Sequence, residues 1–249
     1  RLLLLMLGIK PQATLAKDTV ARLWLLLTHR SPASLGRTMA DRFEDLWRPR
    51  PDRSVQAIPP LAHLGKADRG RRGIGLAPGA QWPTKRWPEE HFVELAGQLA
   101  KTGHESLSIF LGPRERDWFE QGPLARMAAE LPAVTVVAGR SLPEVAAALA
   151  TCRLLVTNDS GLLHLAEAAG TPVLAFYGPT VKAFGYFPCL EASRVLETDL
   201  DCRPCSRNGK RLCHRGDLAC LTEIQPDRAL QGVQTMLEHL NTARGSDGK

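Results

Sequence analysis

The chain has 249 residues, 44% hydrophobic and 23% charged, the balance of an ordinary globular protein, and its length suits one large domain or one complete domain with part of another. Its 32 Lys and Arg against 26 Asp and Glu leave a net charge of +6 that is scattered over many segments. With aromatics at only 6% and no recognised nucleic-acid module, these numbers argue against nucleic acid as a partner.

Residues 1–7 are apolar, but Gly8, Lys10 and Pro11 end the run short of a membrane span, and no small-residue cleavage site follows. Without an initiating Met the chain is expected to begin inside a longer one. Without a targeting segment, a cytoplasmic location is the expectation. Residues 1–8 read as the end of a helix closed by Gly8. The apolar run 23–27, bounded by Arg22 and His29, predicts a strand. Met39, Phe43 and Leu46 or Trp47 recur at helical spacing and predict a helix over 39–47. A Pro-, Gly- and charge-rich tract then runs to Arg72 and reads as a linker, placed at 58–72.

From Gly73 the pattern changes to regular alternation. Strands are predicted at 74–77, 107–111, 134–137, 154–156 and 173–176. Helices are predicted at 88–101, 115–131, 142–151, directly after Gly161, and at 226–240, with a flexible polar tail over 241–249. Strands alternating with helices imply βαβ units, and so an α/β fold: a Rossmann-like parallel sheet with helices on both faces. Right-handed crossovers place every strand-to-helix loop on one edge of that sheet.

The chemistry-bearing residues fall in those loops. After the first strand, Gly79 and Ala80 let backbone approach a ligand closely, and Lys85 supplies a point charge suited to a phosphate oxygen. The bland alternative is a surface loop with two tryptophans as lids. After the second strand, Glu115 either accepts hydrogen bonds from ribose hydroxyls or is a plain first-turn acid. After the fourth, Asn158-Asp159-Ser160-Gly161 opens a small-residue helix. Asp159 and Ser160 are good N-caps, but Ser160 and Gly161 also offer N–H groups to a phosphate, with His164 one turn on. Thr180, after Gly178-Pro179, adds a hydroxyl from the neighbouring strand end. Two adjacent strands ending in such turns form a crevice for an anion.

Cys202, Cys205, Cys213 and Cys220 crowd into one segment with His214 as a spare ligand. Their spacing is compatible with a four-thiolate structural zinc, with a local disulfide, or with reduced thiols packing a loop. Cys152 and Cys189 read as ordinary buried or loop cysteines. No nucleophile elbow, Walker A loop, zinc-protease helix or dinucleotide glycine fingerprint appears.

Taken in order, Thr84-Lys-Arg-Trp-Pro88 before a helix, Asn158-Asp-Ser-Gly-Leu-Leu-His164, Gly178-Pro-Thr180 and the Cys-x2-Cys cluster resemble the lipopolysaccharide heptosyltransferase family, from about Gly73 to Leu240. Residues 2–9 and 23–32 are similar to the last helix and strand region of that family's N-terminal domain. The resemblance implies an inverting glycosyltransferase of the two-domain GT-B fold, with residues 1–57 a remnant of the acceptor-side domain and 73–240 the nucleotide-sugar-binding domain. It implies transfer of heptose, or a related sugar, from an ADP-sugar to a lipid-linked saccharide acceptor, at the inner face of the cytoplasmic membrane. It also implies no cofactor for catalysis, and peripheral membrane contact through the acceptor-side domain expected upstream of Arg1. Lys85 would neutralise the diphosphate, Ser160 and Gly161 would bind it, Asp159 and His164 would contact sugar or phosphates, and Glu115 the ribose. The family's general base lies in a Gly-Asp loop expected upstream of Arg1; Asp18, Asp41 and Asp45 do not match it. The rival class is a non-catalytic nucleotide-sugar-binding module or an inactive truncated product, and a third is an epimerase-type GT-B relative.

Overall fold

The computed structural model describes residues 18–39, 41–42, 70–101 and 106–246. The expected helix end at 1–8, most of the expected helix 39–47 and the linker tract up to residue 69 lie outside the described residues.

Six strands form one sheet: β1 (Ile74–Ala77), β2 (Leu107–Phe110), β3 (Val134–Val137), β4 (Leu154–Asn158), β5 (Val173–Tyr177) and β6 (Arg194–Glu197), in the order β3-β2-β1-β4-β5-β6. Every neighbouring pair is parallel. Strands β1, β4 and β5 are buried along their whole length, which is why their sequences are apolar without alternation. Helices cover both faces. On one, α2 (Glu89–Lys101) packs beside the closing helix α8 (Pro226–Ser246) over Leu76, Ile109, Val156 and Phe176. On the other, α5 (Leu142–Thr151) and α6 (Gly161–Ala168) pack over Leu155, Val173 and Ala175. The strand order reverses between β1 and β4, so the loops leaving their carboxyl ends part and open a crevice.

Three elements differ from expectation. Residues 23–27 belong to a helix, α1 (Thr19–Thr28), not a strand. A five-residue apolar run does not distinguish the two, and here the helical period turns Arg22 and Leu25 inward while Val20, Leu23, Trp24 and Leu27 face outward. The helix expected over 115–131 is two, α3 (Arg116–Gln121) and α4 (Pro123–Glu130). Pro123 has no N–H to give the preceding turn and holds Gly122 extended, at ψ 167°. The Glu89 carboxylate then accepts from the Leu124 N–H at 3.1 Å, so an acid of the α2 first turn also caps the start of α4. Helix α8 runs past Leu240 to Ser246, with Asn241 Oδ1 accepting from Arg153 at 2.5 Å. Strand β6 and the short helix α7 (Ala219–Thr222) were not anticipated.

Helix α1 and the turn Ala33–Leu35 dock at the carboxyl edge. Leu25 and Leu35 bury against Phe184, and the Met39 N–H donates to Gly185 O at 2.8 Å. Trp87 is no lid. It is 1% exposed, stacks on Phe176 of β5 with ring centroids 4.2 Å apart, and donates its indole N–H to Ile224 O at 2.7 Å. It thus nails the β1–α2 connection to the sheet and to the start of α8. Replacing Trp87 with Ala is expected to cost about 3–5 kcal/mol, measured as a lower urea midpoint; an unchanged midpoint would contradict this anchoring.

Candidate functional site

The crevice is assembled around one buried amide. Asn158, the last residue of β4, is fully buried. Its Oδ1 accepts from the Trp87 N–H at 2.9 Å, and its Nδ2 donates to Pro78 O at 2.7 Å and Gly79 O at 3.3 Å. Each of these backbone groups needs a partner because water does not reach it. The side chain therefore fixes both ends of the β1–α2 loop to the tip of β4, and Lys85 inside that loop is delivered to Asp159.

Lys85 Nζ lies 2.6 Å from Asp159 Oδ2, and Thr180 Oγ1 donates to the same oxygen at 2.7 Å. The ends of β1, β4 and β5 thus converge on one carboxylate, with Lys85 14% and Asp159 7% exposed. A buried pair of this kind needs further hydrogen bonds to offset desolvation, and Thr180 supplies one. Thr180 is itself held by Arg203, whose guanidinium donates to Gly178 O at 2.5 Å and Thr180 O at 3.0 Å while pairing with Glu197 at 2.7 Å. The Lys85 stem rests on Gly209, at φ +85°, where a side chain would be strained and would strike the lysine. Thr84 donates to Gly209 O.

Around this pair lies a cavity of about 540 Å³, the size of a small-ligand site. Lys85, Asp159, Ser160, Gly161, His164 and Thr180 all line it. Ser160 is the N-cap of α6, yet its hydroxyl makes no cap hydrogen bond and is buried with no partner among the described residues. The residue lines the cavity while its hydroxyl is shielded, so what the start of α6 can offer a ligand there is its backbone N–H groups. His164 is held below the usual histidine range, chiefly by burial and further by Lys85, against the upward pull of Asp159 and Glu167. It is therefore neutral at neutral pH.

Gly79, Ala80 and Glu115 lie outside that lining. Glu115 folds back to accept from the Gly112 N–H at 2.7 Å, and a Cβ on Gly79 would fall on its carboxylate. The three sit together at the carboxyl ends of β1 and β2, further along the same edge. The site also contains residues the sequence did not flag: Thr19, Arg22 and Met39 from the first described segment, Tyr186, and Arg207 with Asn208 from the cysteine-bearing loop. A helical reading of 19–28 would have set Arg22 on the face of Leu25 and so pointed it inward.

Cys202, Cys205, Cys213 and Cys220 do gather, with His214, round a void of about 10 Å³, and all are free thiols. Among the described residues no group of three or more His, Cys, Asp or Glu side chains is placed to hold a metal ion. Cys220 belongs to the apolar core under α7, and burial pushes its thiol up to about 11, with Cys205 adding to the rise. Cys205 is likewise raised by burial and by Cys202 and Cys213. Cys152 is buried and Cys189 exposed.

A parallel sheet of this strand order, with a lysine, hydroxyls and a helix N-terminus at its switch point, defines an α/β protein built to take an anion at that edge. The chain belongs to glycosyltransferase family 9, the heptosyltransferases, whose family model matches residues 3–214. It is 34% identical over 172 residues to lipopolysaccharide heptosyltransferase 2 of Salmonella typhimurium, covering 66% of this chain and 46% of that protein. With lipooligosaccharide heptosyltransferase 2 of Haemophilus ducreyi it shares 31% over 224 residues, 83% of this chain and 63% of that one. Among solved structures, E. coli ADP-heptose LPS heptosyltransferase II aligns with a TM-score of 0.54 at 27% identity, covering 72% of this chain and 51% of that one. E. coli heptosyltransferase WaaC, solved with ADP, aligns with a TM-score of 0.54 at 25% identity, covering 79% and 56%. The parallel α/β sheet is that of these GT-B enzymes. The chain spans roughly half to two thirds of the length of the curated relatives it matches.

His164 makes the site sensitive to acid. Its folded pKa lies below the ordinary 6.5, so as pH falls through 6.5 the unfolded chain takes up the proton first and stability drops. The loss ends once pH passes the folded value. The residue is exposed, so solvent limits the effect to a small one: between pH 7.5 and 5.5 the wild-type urea midpoint is expected to fall slightly more steeply than that of His164→Gln, and parallel profiles would contradict a lowered folded-state pKa.

Proposed function

We propose that this chain carries the donor-binding half of an enzyme that transfers heptose, or a related sugar, from an ADP-sugar to a lipopolysaccharide-core acceptor. The observation that carries the reading is the convergence of Lys85, Asp159, Thr180 and the start of α6 at Ser160 and Gly161 in one cavity at the β1–β4 switch point. Family membership supports it, as do the names of the relatives, which are lipopolysaccharide heptosyltransferases or structures of such enzymes with ADP. Within this reading residues from 73 to the end of α8 form the nucleotide-sugar domain, 58–72 a linker and 1–57 part of the acceptor side; the first six residues of the expected tail, 241–246, belong to α8.

The chemistry follows from the charges. As the bond between the sugar and the diphosphate breaks, negative charge grows on the departing ADP. Lys85 and the N–H groups of Ser160 and Gly161 at the start of α6 are preorganised to receive it. Lys85 leaves or shares its contact with Asp159 when a phosphate arrives, which frees the carboxylate to hold a sugar hydroxyl. A neutral His164 beside the site can donate one ring N–H and accept at the other nitrogen. Gly79, Ala80 and Glu115 lie further along the edge, where a ribose extends from the diphosphate. On this reading the acceptor hydroxyl loses its proton to a base outside the donor half. Among the described residues no helix is long and apolar enough to cross a membrane; contact with the inner face of the cytoplasmic membrane belongs to the same proposal and to the acceptor side.

Isothermal titration with ADP and ADP-heptose tests the reading. Both are expected to bind, and Lys85→Ala to weaken them by about tenfold or more, the scale of one charge-assisted hydrogen bond. Lys101→Ala, at the far end of α2, is expected to change nothing. Equal losses in the two variants, or no binding by the wild type, would refute the site.

A further inference from the structure

Arg22 is a buried cation that nothing in the donor reading uses. It projects inward from α1, is 7% exposed, and lines the same cavity as Lys85, Asp159, Ser160 and Gly161. Its Nη2 donates to Phe184 O at 3.1 Å and lies 3.5 Å from the Met39 sulfur, and its guanidinium carbon sits 5.4 Å from the Tyr186 ring centroid. All three are neutral groups. Its Nε is buried with no hydrogen-bond partner, and among the described residues no carboxylate lies within ion-pair distance.

A guanidinium so buried is rarely left without a counter-charge, because neutral acceptors recover only part of its lost hydration. The contacts present do something else well. The Phe184 carbonyl and the Tyr186 face fix the planar fork, and a fixed fork is suited to two oxygens of a phosphate. The side chain is therefore oriented before any ligand arrives, while its charge is unanswered. The missing partner belongs in the cavity, and beside Lys85 and the α6 N-terminus it is an anion.

We infer that Arg22 is a second cationic binding residue for the diphosphate-type anion held at Ser160 and Gly161, supplied by the first described segment rather than by the sheet. This rests on the donor reading for the identity of the ligand, but not for its charge. Arg22 then couples the two sides of the crevice, since the docking of α1 on Phe184 brings a phosphate-binding side chain to a site otherwise built from strand ends.

The test titrates wild type, Arg22→Met, Arg22→Lys and an exposed control, Arg116→Ala, with ADP, adenosine and inorganic pyrophosphate at two salt concentrations. Arg22→Met is expected to weaken ADP and pyrophosphate about tenfold or more, to leave adenosine unchanged, and to flatten the salt dependence. Arg22→Lys should recover part of the loss, and the control should behave as wild type. Should the Met variant not fold, Arg22→Gln and Arg22→Lys report on the same contrast between phosphate-bearing and phosphate-free ligands. Unchanged ADP and pyrophosphate binding would overturn the inference, and so would an equal loss on adenosine, the mark of a merely structural side chain. Arg22-dependent binding of pyrophosphate without binding of ADP would keep Arg22 as the anion ligand and sink the nucleotide reading. No binding of either would sink both.

Discussion

Three hydrogen bonds from the Asn158 side chain hold the two halves of the sheet in working relation. The strand order reverses between β1 and β4, and each strand then leaves the sheet by its own loop. Nothing in the ladder itself would keep those loops together. A carboxamide suits the position because it must accept from one backbone N–H and donate to two carbonyls in a dry interior. A carboxylate there could not donate, and an apolar side chain would leave all three groups unpaired, a cost that only a rearranged loop would relieve. Trp87 adds apolar anchoring at the same point, so the loop bearing Lys85 is tethered by both polar and dispersive contacts.

The cysteine-bearing segment works on the site from behind. Gly209 receives the Lys85 stem, Ser206 Oγ accepts from the Gly209 N–H at 2.9 Å, and Arg203 holds the turn that carries Thr180. This explains why a loop far from the sheet's switch point carries so much local structure. Its cysteines gather on one side of a wall whose other side, at Arg207 and Asn208, lines the ligand cavity. Helix α1 closes a different wall, and through His29, 3.0 Å from Arg203 O, it touches the same support. Lys85 thus owes its position to Gly209, more than a hundred positions on, and Thr180 to Arg203 in the loop after β6.

Much of this was legible in the sequence for one reason. Fully buried parallel strands read as unbroken apolar runs, and polar Gly-, Ser- and Thr-rich turns after them can only lie on the ligand edge. That logic located β1, β4 and β5 and drew Lys85, Asp159, Ser160, His164 and Thr180 into one expected site, while β2 and the half-exposed edge strand β3 were found from their regular alternation with helices. It failed where burial is partial or the run is short. β6 is an edge strand of mixed exposure, Arg-Val-Leu-Glu, with no apolar run to find. The run 23–27 carried the same apolar letters as a strand, and only its docking on Phe184 settles it as a helix. The Gly122-Pro123 break was written in the sequence and is a local steric effect. Arg22 and the bonds of Asn158 were out of reach, since their roles exist only after distant segments meet. Glu115 was legible as an acid at the right edge, but its turn back onto Gly112 was not.

The claim underlying the whole account is that a nucleoside diphosphate occupies the crevice between the ends of β1 and β4. Amide hydrogen exchange with and without saturating ADP measures this most directly, peptide by peptide. The account predicts slower exchange over residues 79–87 and 158–164, with α8 unchanged. Saturating ADP that leaves both segments as they were, or protects another face of the molecule instead, would contradict it.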